Sequence, residues 1–169
     1  AWKRKGKVNY VLEGNINYSC AVITWLKDDL GLISDAKEVG SLAAQANPQD
    51  ETILIPAFSG LSAPYWKPEA KAAILNMTRT TGKREICRAA EESIAFQIAD
   101  IVDALRADTG LEISELRADG GATGDKFLMQ TQADAAETAI LVSEEKELSP
   151  VGAGVLAGIA AGVYGEDVL

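Results

Sequence analysis

The stretch Asp119-Gly-Gly-Ala-Thr-Gly124 has the residue types best suited to hold a phosphorylated ligand. Two adjacent glycines tolerate positive φ and let a ligand approach the backbone where a Cβ would collide. The stretch follows a predicted strand and precedes a predicted helix, whose first N–H groups and dipole attract phosphate. It matches neither the dinucleotide-binding GxGxxG pattern nor the phosphate loop that ends in Lys-Ser/Thr. Taken alone, these residues leave a plain strand-to-helix turn and a nucleotide site both open.

Acidic residues on the longest predicted helix are a second candidate, because paired carboxylates can bind metals or exchange protons. They are Glu85, Glu91, Glu92, Asp100 and Asp103. Arginines are interspersed among them, so we interpret these acids as a solvated face and predict no metal site and no catalytic residue in this chain.

Two further features have a structural and a ligand-binding interpretation. Tyr65 and Trp66 lie in a proline-containing loop, where packing of the loop is favoured over stacking on a ligand. Gly154, Gly158 and Gly162 recur at i, i+4 and i+8, which predicts close packing against another helix or sheet backbone rather than ligand approach.

Composition narrows the class of protein. The chain has 169 residues, the size of one domain, and we predict a single domain over 1–169. Its net charge of −9 argues against nucleic acid or an anionic membrane as partner. The basic cluster Lys3-Arg4-Lys5-Lys7 is interpreted as a solvated end or the stub of a longer segment. The absence of histidine excludes Ser-His-Asp and Cys-His catalysis.

Compartment and membrane association follow from cysteine spacing and hydropathy. Cys20 and Cys87 are far apart and are predicted to be free thiols in the cytosol. We predict no signal peptide, and the uncharged stretch 148–165 is too weakly apolar for a membrane span.

The elements that would position the glycine pair alternate between strand and helix late in the chain, which predicts an α/β domain with a right-handed crossover. Apolar periodicity and turn residues place the elements as follows. Strands are expected at 8–12, 52–55, 72–77, 114–118 and 138–142, and helices at 16–30, 34–46, 82–108, 124–136 and from Ser149 onward, with Ser149 as N-cap.

Four stretches, in this order and spacing, resemble the C-terminal domain of the FGGY carbohydrate kinases, and among these the glycerol kinases are the most similar. They are NYVLEGNINYSCAVITWLKDDLGLI, IPAFSGLSAPYWKPEAKAAI, ICRAAEESIAFQIADIVDAL and LRADGGATGDKFLMQTQAD. The resemblance covers about Val8 to Tyr164. It implies an actin-like ATPase (ribonuclease-H-like) α/β fold with a mixed sheet flanked by helices. It also favours the nucleotide interpretation of the glycine pair.

The resemblance implies specific ligand contacts. Adenine-nucleotide contacts are expected at Gly120, Gly121 and Ala122 and, on the following helix, at Asp125. Two more are expected on an earlier helix, at Cys20 and Thr24. The family commonly has Asn where Asp125 stands, Gly where Cys20 stands and Gln where Thr24 stands, so nucleotide affinity or substrate identity is open to change.

The resemblance further implies an activity for the intact protein, which we expect to be longer than this chain. The cofactors would be ATP and Mg²⁺, and the γ-phosphate would pass to a hydroxyl of glycerol or a related polyol or sugar. The first domain and the catalytic aspartate are expected outside this chain, so the chain alone is expected to be inactive. Two alternatives stay open: a kinase of another sugar such as a pentulose, and a domain that has lost nucleotide binding and acts in assembly or regulation. A homodimer is also expected.

Overall fold

The structure, a computed structural model, describes residues 2–4, 6–145 and 148–168. Lys5 of the predicted basic cluster lies outside these residues. The α-helices are α1 (Ala21–Asp28), α2 (Val39–Ala43), α3 (Lys83–Thr109), α4 (Lys126–Ala136) and α5 (Leu148–Ala160). The strands are β1 (Trp2–Arg4), β2 (Lys7–Asn9), β3 (Ile53–Ile55), β4 (Ala73–Leu75), β5 (Glu115–Ala118) and β6 (Ala139–Val142). Short 3-10 helices span Ala36–Glu38, Gly121–Gly124 and Glu166–Val168.

The strands of the described part pair two by two. β1–β2 and β3–β4 are antiparallel hairpins, whereas β5 and β6 are parallel, with Glu115 opposite Ala139 and Ala118 opposite Val142. Parallel neighbours need a crossover connection, and α4 provides it here. The mixture of parallel and antiparallel pairing agrees with the predicted fold class, although the strands form separate two-stranded sheets in the described residues rather than one sheet.

Helix α3 is the centre of the domain and packs against α2, α4 and β3. Its buried face includes Cys87, Ala90 and Ile94, which are at most 1% exposed, and these residues join a core with Val22 and Leu26 of α1. The helix begins after Gly82 and ends at Gly110, whose φ of 67° is left-handed. The boundaries predicted for this helix are therefore confirmed to within one residue, because both ends have strong local signals.

The acidic face predicted on α3 is wrong at two positions. Glu85 is 8% exposed and Glu91 is 1% exposed. Glu85 is buried because it caps the helix: its carboxylate accepts hydrogen bonds from the backbone N–H of Gly82 at 2.9 Å and of Asn47 at 3.0 Å. Glu91 is buried where α4 packs against α3, and its surroundings belong to the candidate site.

Two helix starts differ from the predictions. The helix expected over 16–30 begins at Ala21, because Tyr18 has a φ of 58° and such a residue cannot continue an α-helix. The helix expected from Ser34 is capped by Asp35, whose side chain accepts a hydrogen bond from the N–H of Lys37 at 2.9 Å. It then runs as a 3-10 turn into α2.

The last helix also differs from its prediction. α5 already includes Leu148, so Ser149 lies inside its first turn and is not the N-cap. A Cβ built on Gly154 meets no atom within 4 Å, so this glycine does not mark a close contact with another element. Gly162 lies beyond the helix with a φ of 73° and ends it, while Gly158 packs against the Tyr164 ring.

The remaining sequence predictions concern thiols, aromatic residues and membrane spans. Both cysteines are free, Cys20 exposed and Cys87 buried. Trp66 is 73% exposed, so the packing expected for it is wrong, whereas Phe58 of the same loop stacks on Tyr18 with ring centroids 4.3 Å apart. Tyr65 is half exposed and donates a hydrogen bond to Asp100 at 2.9 Å. Among the helices described, none is long and apolar enough to cross a membrane.

Candidate functional site

The glycine pair lies at the C-terminal end of β5, where the chain turns into α4. Gly120 has φ 98° and ψ 176°, a conformation that glycine alone adopts readily, so this position needs its missing side chain. Gly121 has no comparable backbone demand, and a Cβ built on it meets no atom within 4 Å. The backbone at this turn is therefore open, and no side chain of the described residues covers Gly121.

The turn itself is a short 3-10 helix, Gly121–Gly124, and not the start of α4. The first N–H groups of a helix have no intrahelical partner, and here they belong to Gly121 and Ala122. Thr123 supports the turn by donating a hydrogen bond from its hydroxyl to the carbonyl of Gly120 at 2.8 Å. Ala122 is half-buried and packs against the hydrophobic core, so the turn is anchored to the core.

Asp125 separates the 3-10 turn from α4. Its backbone is extended, with φ −86° and ψ 108°, and its Oδ1 accepts hydrogen bonds from the N–H groups of Phe127 at 2.9 Å and Leu128 at 3.2 Å. Asp125 is thus the N-cap of α4, not a residue of its first turn. The sequence prediction that the N–H groups of this helix face a phosphate is wrong for these two groups, because the carboxylate already accepts from them.

A cleft of about 320 Å³ opens beside this turn. One wall comes from the 3-10 helix Ala36–Glu38 and from α2. The other wall comes from the turn Gly121–Gly124 and from the start of α4. The lining residues are Lys37, Gly40, Ser41, Ala44, Gly124, Asp125, Lys126 and Phe127. The two lysines place positive charge at the cleft in a chain whose net charge is −9. An anionic ligand with an apolar portion suits such a lining.

Helix α2 packs so closely against Asp125 that there is no space for a side chain at Gly40. A Cβ on Gly40 would lie 2.1 Å from Oδ1 and 2.2 Å from Oδ2 of Asp125. The Asp125 carboxylate therefore lies directly against the backbone of α2. This contact joins the two walls of the cleft.

Glu91 lies behind Asp125 and does not line the cleft. Burial, the charge of Asp125 and a hydrogen bond with Asp125 raise the pKa of Glu91 to about 8. The sequence analysis named this residue among the acids of α3 but assigned it to a solvated face, which is wrong because Glu91 is 1% exposed. The signal was its spacing, four residues after Cys87 and four before Ala95, both of which are fully buried.

The predicted contacts on α1 lie apart from the cleft. Cys20, which precedes α1, and Thr24 are both exposed and do not contribute to the cleft lining. Helix α1 contacts the 3-10 helix that carries Lys37. The structure thus brings Gly120, Gly121, Ala122 and Asp125 together in one turn and leaves Cys20 and Thr24 on a neighbouring element, where their role stays a prediction.

The α2 wall could not be found from sequence, because Lys37, Gly40 and Ser41 form no motif. A second cleft, of about 360 Å³, is lined by apolar side chains such as Trp25, Leu54 and Phe58. It includes none of the predicted site residues.

Comparison with known proteins shows which proteins the chain is similar to. The chain is 45% identical to a glycerol kinase of Dechloromonas aromatica over 166 residues, which are 98% of the chain and 33% of that protein. The structure of Plasmodium falciparum glycerol kinase with ADP superposes with a TM-score of 0.82 at 40% identity, over 90% of this chain and 30% of that one. Ligand-bound xylulose kinase from Lactobacillus acidophilus gives 0.74 at 25% identity, over 89% of this chain and 31% of that one.

These neighbours have the actin-like ATPase fold, so the predicted fold class is confirmed. The chain spans about a third of the length of the relatives that it matches. A family description, the C-terminal domain of the FGGY family of carbohydrate kinases, matches residues 3–161. The chain therefore belongs to the FGGY family of carbohydrate kinases and corresponds to its C-terminal domain.

Proposed function

We propose that this chain is the nucleotide-binding part of an ATP-dependent kinase that phosphorylates a hydroxyl of glycerol or a related polyol. The observation that carries the proposal is the open backbone at Gly120 and Gly121 beside a cleft with two lysines. The relatives named glycerol kinase support glycerol as the acceptor, and the ADP in the Plasmodium falciparum structure supports an adenine nucleotide as the ligand.

The chain's own residues would grip the nucleotide. The N–H groups of Gly121 and Ala122 would donate to phosphate oxygens, each such bond contributing about 1.5–3 kcal/mol. Lys37 and Lys126 would add charge, and the apolar surface of Phe127 would lie against the sugar or the base. Cys20 and Thr24 stay predicted contacts from α1. ATP supplies the phosphoryl group, and these residues would hold it in position while water is excluded.

Magnesium fits this chain only as part of the nucleotide complex. The described residues form no group of three or more His, Cys, Asp or Glu side chains that could hold a metal ion. Mg²⁺ commonly binds through substrate phosphates and water. Binding of Mg²⁺ together with ATP is therefore consistent with the lining of this cleft. We assign no step to the ion here.

We place the catalytic base and most acceptor contacts outside this chain, on the strength of the family resemblance. On the same ground we predict pairing of two chains. The cytosolic location stays a prediction from the two free cysteines. A pentulose as the acceptor is the second candidate, because the Lactobacillus acidophilus xylulose kinase superposes over 89% of this chain.

Calorimetric titration of the 169-residue chain with ADP and with ATP–Mg²⁺ tests the nucleotide site. We expect a dissociation constant on the order of millimolar, or about −4 kcal/mol. Gly121→Ala should weaken binding at least about fivefold, roughly 1 kcal/mol, because its methyl group would occupy the surface on which the phosphates lie. The same methyl meets no protein atom within 4 Å, so the fold should tolerate it.

Gly154→Ala is the matched control, since a Cβ there is equally free of contacts and lies on α5, away from the cleft. Equal affinities for the two variants would place the nucleotide elsewhere. If the unaltered chain binds neither nucleotide at several millimolar, the proposed function is wrong, and the result favours the alternative of a domain that acts in assembly or regulation.

A further inference from the structure

The carboxyl groups of Glu91 and Asp125 form a pair that joins α3 to the start of α4. Glu91 is 1% exposed, and its Oε2 receives no hydrogen bond within the described part of the chain. Asp125 is next to it and lines the cleft. If both groups were ionised, two acceptors would face each other with no donor between them. A buried site does not tolerate that arrangement without a large cost in free energy.

The surroundings do not allow the two carboxyl groups to move apart and so relieve their repulsion. Asp125 cannot turn toward α2 because its carboxylate already lies against Gly40, and its Oδ1 is held by two N–H groups of α4. Other charged groups lie in this region: Lys83, Glu85 and, on the 3-10 helix Ala36–Glu38, Glu38 act on the Cys87 thiol, and Lys37 and Lys126 line the cleft together with Asp125. The Glu91 Oε2 has no hydrogen-bond partner in the described part of the chain, and no cation offsets the effect of the Asp125 charge on Glu91, so the pair itself must hold a proton.

We infer that Glu91 is a positioning residue of the candidate nucleotide site, because its protonated carboxyl donates a hydrogen bond to the Asp125 carboxylate. The pair then shares one proton and presents a single negative charge to the cleft. Loss of that proton at higher pH doubles the charge next to a polyanionic ligand and pushes Asp125 away from its capping position. The effect on ligand binding rests on the proposed function, whereas the shared proton does not.

The sign of the pH effect on folding follows from linkage. The pKa of Glu91 is about 8 in the folded chain and near the ordinary value of 4.5 in the unfolded chain. Between these values the folded chain keeps a proton that the unfolded chain has released. The unfolding equilibrium constant therefore increases by up to about tenfold per pH unit across this window and levels off above it.

Urea unfolding of the full chain without nucleotide, from about pH 5 to pH 9, measures this slope. In Glu91→Gln an amide donates to Asp125 at every pH, so the slope due to Glu91 should disappear. Between about pH 5 and pH 8 the unfolding constant of the wild type should increase about 10²–10³-fold more than that of the variant. Glu112→Gln, at an exposed carboxyl outside the pair, should follow the wild type.

Asp125→Asn provides a second test of the pH slope if Glu91→Gln folds poorly. Its amide can donate to an ionised Glu91 and still cap α4, so the slope should shrink here as well. Slopes equal to that of the wild type in either variant would overturn the inference.

Ligand binding is then measured separately, as ADP affinity at about pH 7 and pH 9. The wild type should weaken about tenfold more than Glu91→Gln over this range, because only the wild type gains the second charge. An equal pH dependence of affinity would remove the positioning role. If ADP binds neither chain at either pH, the proposed function fails, and the unfolding slopes still decide whether the proton is shared.

Discussion

At the scale of single residues, Arg88 makes the contacts that join α3 to the segment before β3. Its side chain is 12% exposed, and its guanidinium donates to the carbonyl oxygens of Asn47, at 2.6 Å, and Asp50. It also lies 3.9 Å from the Asp50 carboxylate and 3.4 Å from that of Glu92. Arg88→Met should lower the free energy of unfolding by about 3 kcal/mol, because it removes the donor and the opposite charge from the buried residue Asp50. Urea unfolding measures the change.

Arg117→Met is the control for this loss. The Arg117 side chain is 82% exposed and forms an ion pair with Glu115 at 3.2 Å, so its removal should change the free energy of unfolding by less than about 1 kcal/mol. Equal losses for the two variants would show that Arg88 contributes only as a surface charge.

How much of the site could be predicted from sequence depends on the range of each contact. Gly120 and Gly121 were found because a strand, two glycines and a helix are neighbours in sequence. Gly40 was not found and Glu91 was assigned to a solvated face, because each acquires its role only when α2 or α3 packs against Asp125. The same packing explains why Asp125 functions as an N-cap held between helices, which its sequence neighbours alone do not specify.

At the scale of elements, the contact between α2 and α4 depends on the absence of a side chain at Gly40. Gly40→Ala should destabilise the wild type by about 1 kcal/mol, because its methyl group would displace the capping carboxylate of Asp125. In an Asp125→Ala background the carboxylate is gone. The same substitution should then stabilise the chain by up to about 1 kcal/mol, the advantage of Ala over Gly inside a helix.

A double-mutant cycle of these variants, followed by urea unfolding, measures the coupling between the two positions. The expected signature is a reversal of sign for Gly40→Ala between the two backgrounds. Additive effects would mean that the walls of the cleft move apart freely, and the contact between Gly40 and Asp125 would then have no energetic weight.

Element boundaries were predictable where the sequence carries its own stop signals and not elsewhere. Gly82 and Gly110 delimit α3, as expected. No sequence signal showed that Tyr18 adopts a positive φ and delays α1, since an aromatic residue normally avoids that conformation. On α5 the recurrence of glycine at every fourth position predicts close packing against another element. The prediction is wrong because Gly154 has no close neighbour and Gly162 ends the helix.

At the scale of the whole molecule, buried and capping carboxyls give stability opposite dependences on pH. Hydrogen bonds from Thr52 lower the pKa of Asp50, and a backbone hydrogen bond from Asn47 lowers that of Glu85. Their stabilisation is present above the ordinary carboxyl pKa and is lost as the pH falls through their folded values. Glu91 acts in the opposite direction, because its raised pKa weakens the fold as the pH rises from about 4.5 to about 8.

The two effects together predict a stability maximum on the acidic side of neutrality, near about pH 5. Thermal unfolding at constant ionic strength measures it, since a net charge of −9 makes the chain sensitive to salt. Glu91→Gln should move the maximum toward neutral pH, and Asp50→Asn should flatten the decline on the acidic side. A maximum at pH 8 or above in the wild type would mean that Glu91 is already ionised in the folded chain, because a proton held by Glu91 would lower the stability between about pH 4.5 and pH 8.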